Sequence, residues 1–481
     1  MQRIVVRWLL PLALLAAVRA APAPAFVEST LALPRYGEVA IYRPTGEIRS
    51  FMIFFSGDGG WHLGVVDMAR SFAAEGALVA GVDVRRYLRS LQPRDAAQAA
   101  TGTACTNLGG DFEALSQTLQ RRLQLTEYRH PVLAGYSSGA TVVYAALSQA
   151  PRGTFAGAIS LGFCPDQDFG GARLCRINGT EYTLPARPRP NDHTLILEAN
   201  AGIRDHWLAV QGERDQVCNA SATRAFTAQV PAAELLMLPK VGHGFGVSAN
   251  WWPQVRESYM TLVARAAPVA PAAAVGDLPI YEVPRAAAAP RSRRIAILLT
   301  GDGGWAGLDR DLADELAAQG IPTAALSSIR YFWKPRTPEQ AAVDVARMIR
   351  HYLGQWQAER VLLLGYSFGA DVTPFVYNRL PAELRERVDA VALMGLSPRA
   401  TFEFRLSEWL PGTGEAGPGT VPEIQRTGPV PKLCVMGEGE KDSACPEARG
   451  AGVHAVTVGS GHHFSGKADE IVKQLLAIAA E

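Results

Sequence analysis

The chain lacks any imbalance of charge: 47 Lys and Arg face 46 Asp and Glu, leaving +1 over 481 residues. That excludes a global field suited to nucleic acid, and no nucleic-acid partner is expected. Cysteine is scarce, with six residues. No CxxC or Cys/His spacing makes a zinc ligand set, so no metal is expected. No G-K-[ST] follows the glycine-rich turns, which argues against a phosphate-binding loop, and no cofactor is expected. Beyond the N-terminus no run reaches the ~18 uninterrupted apolar residues of a membrane span. What the chain does have is 48% hydrophobic and 19% charged residues, the balance of a folded protein with sizeable cores. Its length suits two domains.

The first twenty residues read as a processing signal. Arg3 and Arg7 precede the apolar run "WLLPLALLAAV", and Val18 and Ala20 stand at the −3 and −1 positions of a cleavage site. Residues 1–20 are therefore expected to be a cleaved signal peptide and the mature protein to be periplasmic. Six cysteines suit an oxidising compartment. Cys434 is expected to pair with Cys445, and Cys164–Cys175 with Cys105–Cys218 is the preferred pairing for the rest.

Ala264 to Asp277, "ARAAPVAPAAAVGD", is rich in Ala and Pro without periodicity, which marks 265–276 as a linker between domains spanning 26–264 and 277–481. The same signals recur on each side. A short strand ("EVAIYR"; "LPIYEV") leads to an apolar strand that ends in "GDGGW", at Gly57–Trp61 and Gly301–Trp305. An amphipathic helix follows, closed by Gly76 or Gly320, and then a hydrophobic strand. A further helix starts at Asp95 or Thr337; the second start, "TPEQ", carries the capping-box pattern with proline at the first helical position. Strands alternating with helices argue a mostly parallel α/β sheet flanked by helices, twice over.

Chemistry gathers at the turns. "GYSSG" (Gly135–Gly139) and "GYSFG" (Gly365–Gly369) both fit G-x-S-x-G between an apolar strand and a helix, the context of a nucleophile elbow. Ser137 and Ser367 are the candidate nucleophiles. Each needs a base and an orienting acid, since an unassisted hydroxyl is a poor nucleophile at neutral pH. In elbow–acid–histidine order the first half offers Asp215 and His243. For the second, aligning the D-x-x-C ends of "GERDQVC" and "GEGEKDSAC" selects Asp442, with Glu440 the alternative acid; His462 is the base, with neighbouring His463 the alternative.

An α/β-hydrolase draws one oxyanion amide from the residue after the nucleophile, here Ser138 or Phe368. The other is expected from the GDGGW loop, through Asp58 and Gly59 or Asp302 and Gly303. Loss of one such donor costs roughly 2.7–4 kcal/mol of transition-state stabilisation. The Asp58 and Asp302 carboxylates are expected to turn away and brace the loop, with Trp61 and Trp305 at the substrate wall. A purely structural turn is the alternative.

With signal segment, linker and two GDGGW…GYSxG…D…GH modules, the chain resembles the VirJ/AcvB family of exported bacterial proteins. The match is most specific in the second half, through "GDGGW", "RYFWKPRTPEQ", "GYSFGADV" and "GHHF". The resemblance implies two tandem α/β-hydrolase domains. It also implies hydrolysis of aminoacyl-phosphatidylglycerol, lysyl or alanyl, at the periplasmic face of the inner membrane, with links to virulence and membrane lipid homeostasis. Asp371, four residues past Ser367 where the first half has Thr141, is then a candidate reader of the substrate's amino group; a favourable acid in the first helical turn is the alternative. Phe402, Phe404, Trp409 and Leu410 form either a lid or plain packing. The competing functions are a general carboxylesterase or dienelactone-hydrolase-like enzyme, and a non-catalytic accessory protein whose partners belong to a type IV secretion system.

Overall fold

The computed structural model describes residues 25–91, 105–186, 193–266, 274–404 and 417–480. The signal segment, the helix start at Asp95, linker residues 267–273, and Trp409 with Leu410 lie outside the described residues. No helix among the described residues is long and apolar enough to cross a membrane.

The first half opens with β1 (Phe26–Leu33), β2 (Gly37–Pro44), β3 (Ser50–Phe55), β4 (Ala77–Val82), β5 (Val132–Tyr136) and β6 (Gly157–Leu161). After β6 come three short strands, β7 (Asp166–Asp168), β8 (Tyr182–Thr183) and β9 (Thr194–Leu197), which make a small sheet of their own in the order β7-β9-β8. The main sheet resumes with β10 (Trp207–Gly212) and β11 (Ala233–Leu238) and runs β1-β2-β4-β3-β5-β6-β10-β11. Only the β1–β2 and β2–β4 pairs are antiparallel. The second half holds β12 (Ile280–Val283), β13 (Arg294–Leu299), β14 (Thr323–Leu326), β15 (Arg360–Tyr366), β16 (Val388–Met394), β17 (Lys432–Glu438) and β18 (His454–Ser460). Their order, β12-β14-β13-β15-β16-β17-β18, repeats the first sheet without its outermost strand. Each half has the α/β-hydrolase fold.

Binary pattern explains why these segments form interior strands. Every residue of β3 and β4 is buried, the signature of parallel strands covered by helices on both faces. Gly76 and Gly320 close the preceding helices at φ +92° and +81°. The capping box forms as its sequence suggests: Thr337 accepts from the Gln340 amide and Gln340 reaches back to Thr337. The helix Trp252–Ala266 extends to the edge of the linker, and Val275 is already buried in the second core.

Two of three disulfides differ from expectation. Cys434–Cys445 forms, but the others are Cys105–Cys175 and Cys164–Cys218. Sheet order is the reason. β6 and β10 are parallel neighbours, so the loops leaving their C-terminal ends bring Cys164 and Cys218 together. Cys105 is instead carried to Cys175 by the backbone bridge between Thr106 and Leu174.

The halves meet along the helix Leu108–Arg122. Trp333, from the "RYFWKPR" string, packs with Tyr128, Ile329 and Phe404 and donates its indole N–H to the Leu125 carbonyl at 2.8 Å. The Arg121 guanidinium lies 3.8 Å over the Trp333 ring and donates to its carbonyl at 2.6 Å. Further along, Gly307 N–H donates to the Arg152 carbonyl at 2.8 Å.

Candidate active site

Both elbows form. Ser137 sits at φ 54°, ψ −120° between β5 and the helix Ser138–Gln149; Ser367 sits at φ 50°, ψ −120° between β15 and the helix Phe368–Arg379. A non-glycine residue held there stores on the order of 1–3 kcal/mol of strain. The flanking glycines are required by close approach: a Cβ on Gly139 would lie 2.4 Å from the Phe55 carbonyl oxygen, and one on Gly369 2.0 Å from that of Leu299.

In the first centre His243 Nε2 lies 2.9 Å from Ser137 Oγ, and its Nδ1 lies 2.9 Å from Asp215 Oδ2. A carboxylate only accepts, so the proton belongs on Nδ1 and Nε2 is left to accept from the serine. The Asp215 side chain is fully buried. It also accepts from the amides of Val217 and Cys218 and from Gln211, which fixes its position. Among the described residues only Asp215, Cys218 and His243 bring metal-type donors together, but the Cys218 sulfur is in a disulfide and the other two are engaged in the triad.

In the second centre His462 Nε2 lies 2.8 Å from Ser367 Oγ, and its Nδ1 lies 2.5 Å from Glu440 Oε1. Glu440, not Asp442, is the acid; Asp442 is exposed. Asp215 stands three residues past Gly212, and Glu440 three past Gly437, so counting from the glycine near the end of each strand aligns the acids. Counting from the cysteines fails because they are not equivalent: Cys218 bonds back to the loop after β6, whereas Cys445 bonds to Cys434 within β17. Burial alone would raise the Glu440 carboxyl, but hydrogen bonds from His462 and the Gly437 amide hold it below the usual range. Burial alone would lower His462, and Glu440 more than reverses this, leaving the imidazole a stronger base than usual. His463 is lowered, by burial and then by its neighbour His462, and its Nδ1 lies 2.8 Å from the Tyr366 hydroxyl. His462 is thus the residue placed to act as base. Tyr366, whose ring lies 5.5 Å from that of His462, is a further residue of the site, and its signal in the sequence is its repetition at Tyr136, which stands equally close to His243.

The segments expected to supply the oxyanion amides lie next to the serines. The amides of Ser138 and Phe368 open their helices next to the serines, and the GDGGW loops turn through Gly60 N–H to the Gly57 carbonyl and Gly304 N–H to the Gly301 carbonyl. In the first elbow, Ser138 Oγ also donates to Gln167 on the small sheet. A Cβ on Gly57 would lie 3.1 Å from Ser137 Cβ, and one on Gly301 3.5 Å from Ser367 Cβ, so the loops sit beside the nucleophiles and leave Asp58–Gly59 and Asp302–Gly303 at the site.

Three details correct the sequence reading. Trp61 and Trp305 do not line a substrate wall. Trp61 is 6% exposed and lies over Gly81 with its N–H toward the Tyr42 hydroxyl; Trp305 is 7% exposed and stacks on Tyr281. Each anchors its loop to the core. Asp371 braces the fold: its Oδ1 accepts from the Ser397 amide at 2.7 Å, at the loop leaving β16. Thr141 does the matching job, donating to the Cys164 carbonyl at 2.6 Å at the loop leaving β6. Asp58 faces solvent, but Asp302 is partly buried near His462, and desolvation raises its carboxyl despite that neighbour and the amides of Asp302 and Gly303. Phe402 packs on Phe332 and Phe375 and Phe404 on Trp333, so the described part of the aromatic segment is packing.

A family model described as bacterial virulence protein (VirJ) matches residues 49–157 and 293–481. No curated protein matches the chain. Among solved structures, a protein provisionally assigned as a dienelactone hydrolase from Klebsiella pneumoniae is 15% identical, with 51% of this chain and 100% of that one covered at a TM-score of 0.34. Est1E from Butyrivibrio proteoclasticus is 14% identical over 49% of this chain and 98% of its own, at 0.32. An α/β serine hydrolase without lid from Xanthomonas campestris is 17% identical over 52% and 99%, at 0.31.

Proposed function

The chain belongs to the VirJ family of bacterial virulence proteins, and from that premise we propose that it is a periplasmic serine hydrolase that cleaves the aminoacyl ester of aminoacyl-phosphatidylglycerol. The observation that carries the reading is the Ser367–His462–Glu440 relay, with hydrogen-bond contacts of 2.8 and 2.5 Å on a strained elbow.

In the proposed reaction Ser367 Oγ attacks the ester carbonyl while His462 Nε2 takes its proton. Glu440 holds the imidazole tautomer and stabilises the imidazolium. The amides of Phe368 and of the GDGGW loop receive the developing oxyanion. Collapse breaks the bond to the glycerol oxygen, which leaves with the proton from His462 as phosphatidylglycerol. Water, deprotonated by His462, then releases the amino acid and restores the serine. The Ser137–His243–Asp215 relay has the same geometry and supports a second active centre.

The reading is tested with a serine-directed fluorophosphonate probe and with lipids of a deletion strain. Ser367→Ala is expected to remove label from the second half, and deletion to raise aminoacyl-phosphatidylglycerol. No labelling of either serine would favour a non-catalytic secretion accessory. Labelling with unchanged lipids would favour a general carboxylesterase.

A further inference from the structure

We propose that Glu113, carried by the first half, completes the acyl subsite of the Ser367 centre and, with Asp302, selects esters whose acyl group bears an ammonium. This deepens the hydrolase reading of that centre and rests on it.

Position is the first argument. Glu113 lies on the helix Leu108–Arg122, yet a Cβ placed on Gly303, in the other half's oxyanion loop, would meet Glu113 Oε1 at 3.0 Å. Helical register explains the reach. Glu113, Gln117 and Arg121 share one face, and Arg121 is fixed to the Trp333 carbonyl, so the face is pinned against the second half.

Charge is the second. Neither Glu113 nor Asp302 forms an ion pair with a Lys or Arg among the described residues. Burial and then the charge of Asp302 push the Glu113 carboxyl up to about 8. Two partly buried carboxyls so close disfavour each other's charge, His462 and His463 being the cations nearest Asp302, and a cationic ligand between them lowers that cost.

Unmet hydrogen-bonding capacity is the third. Asp309 is 2% exposed, accepts at Oδ2 from the Gly301 amide of the oxyanion loop, and leaves buried Oδ1 with no partner. Gln117, one turn from Glu113 on the shared face, is 2% exposed with its Nε2 unpartnered. Native proteins seldom leave such atoms unsatisfied, and these two belong to the side chain that holds the oxyanion loop and to the helix face that carries Glu113.

The chemistry fits an α-aminoacyl ester. Its ammonium nitrogen is two bonds from the carbonyl carbon that Ser367 attacks, and the carbonyl oxygen sits at the loop amides that Glu113 flanks. Asp58 offers no equivalent in the first centre, since it faces solvent.

The test uses the full chain with Ser137→Ala, so that only the Ser367 centre acts, on two esters of one alcohol: alanine, and isobutyrate, which replaces the ammonium by a methyl group. The expected result is a kcat/KM preference for the alanine ester that Glu113→Gln reduces at least tenfold, mainly through KM, and that Glu113→Asp partly keeps. An unchanged preference in Glu113→Gln, or no preference in the parent, overturns the subsite while leaving the hydrolase standing. Hydrolysis of neither ester overturns the hydrolase reading and the inference with it.

Discussion

Asp58 and Asp302 occupy the same place in a repeated loop, each beside its own elbow, yet one is exposed and the other is partly buried, with Glu113 of the neighbouring half against the adjoining Gly303. All bonds described for the Ser137 centre come from its own half. The Ser367 centre has a wall that its own half does not supply. Duplication reproduced the catalytic relay, and the contact between the copies made them unequal. The string "RYFWKPR", absent from the first half, is where this happens: Phe332 packs on Phe368, next to the nucleophile, while Trp333 docks into the other half.

The comparison is broken most severely at the acids. Glu440→Gln is expected to lower kcat at the Ser367 centre by about 10⁴-fold, as loss of the orienting anion does in a Ser-His-Asp relay. Asp442→Asn is expected to change it less than twofold, and steady-state kinetics in Ser137→Ala protein distinguish them. Next comes the interface. Trp333→Ala is expected to destabilise the chain by about 3–5 kcal/mol, read by thermal unfolding, and to reduce probe labelling at Ser367 more than at Ser137.

The two titration predictions are smaller. Glu440 raises His462, so its imidazole is expected to titrate above the usual value of about 6.5, and Glu440→Gln to move it down, followed by ring proton NMR. The acid limb of activity, which needs a neutral base, lies correspondingly high. Glu113 acts on stability, in the direction of any group whose pKa is raised by folding. Its folded pKa, about 8, exceeds the unfolded value of about 4.3, so the native chain holds a proton that the unfolded chain has lost. Stability from this group therefore falls as pH rises through that window. Glu113→Gln is expected to flatten the decline in Tm measured across it.

Much of this was legible in the sequence because it is local. The elbows, both histidines, Asp215 and the capping box are written in contiguous residues whose spacing has one physical reading. Glu440 was obscured by a false landmark: the cysteine after each acid, which bonds to different elements in the two halves. The first-half disulfides depended on which strands are neighbours. Trp61 and Trp305 look like binding residues in the sequence, and only packing against Gly81 and Tyr281 shows them as anchors. Glu113 carries no local signal, since its partner loop is nearly two hundred residues away and arrives only when the halves dock.

The most direct measurement is release of free amino acid from vesicles containing alanyl- or lysyl-phosphatidylglycerol by the purified chain, compared with Ser137→Ala and Ser367→Ala. The account expects release that survives Ser137→Ala and is lost in Ser367→Ala, with phosphatidylglycerol formed in equal amount. Release undiminished in Ser367→Ala, or no release by the unmodified chain, would contradict it.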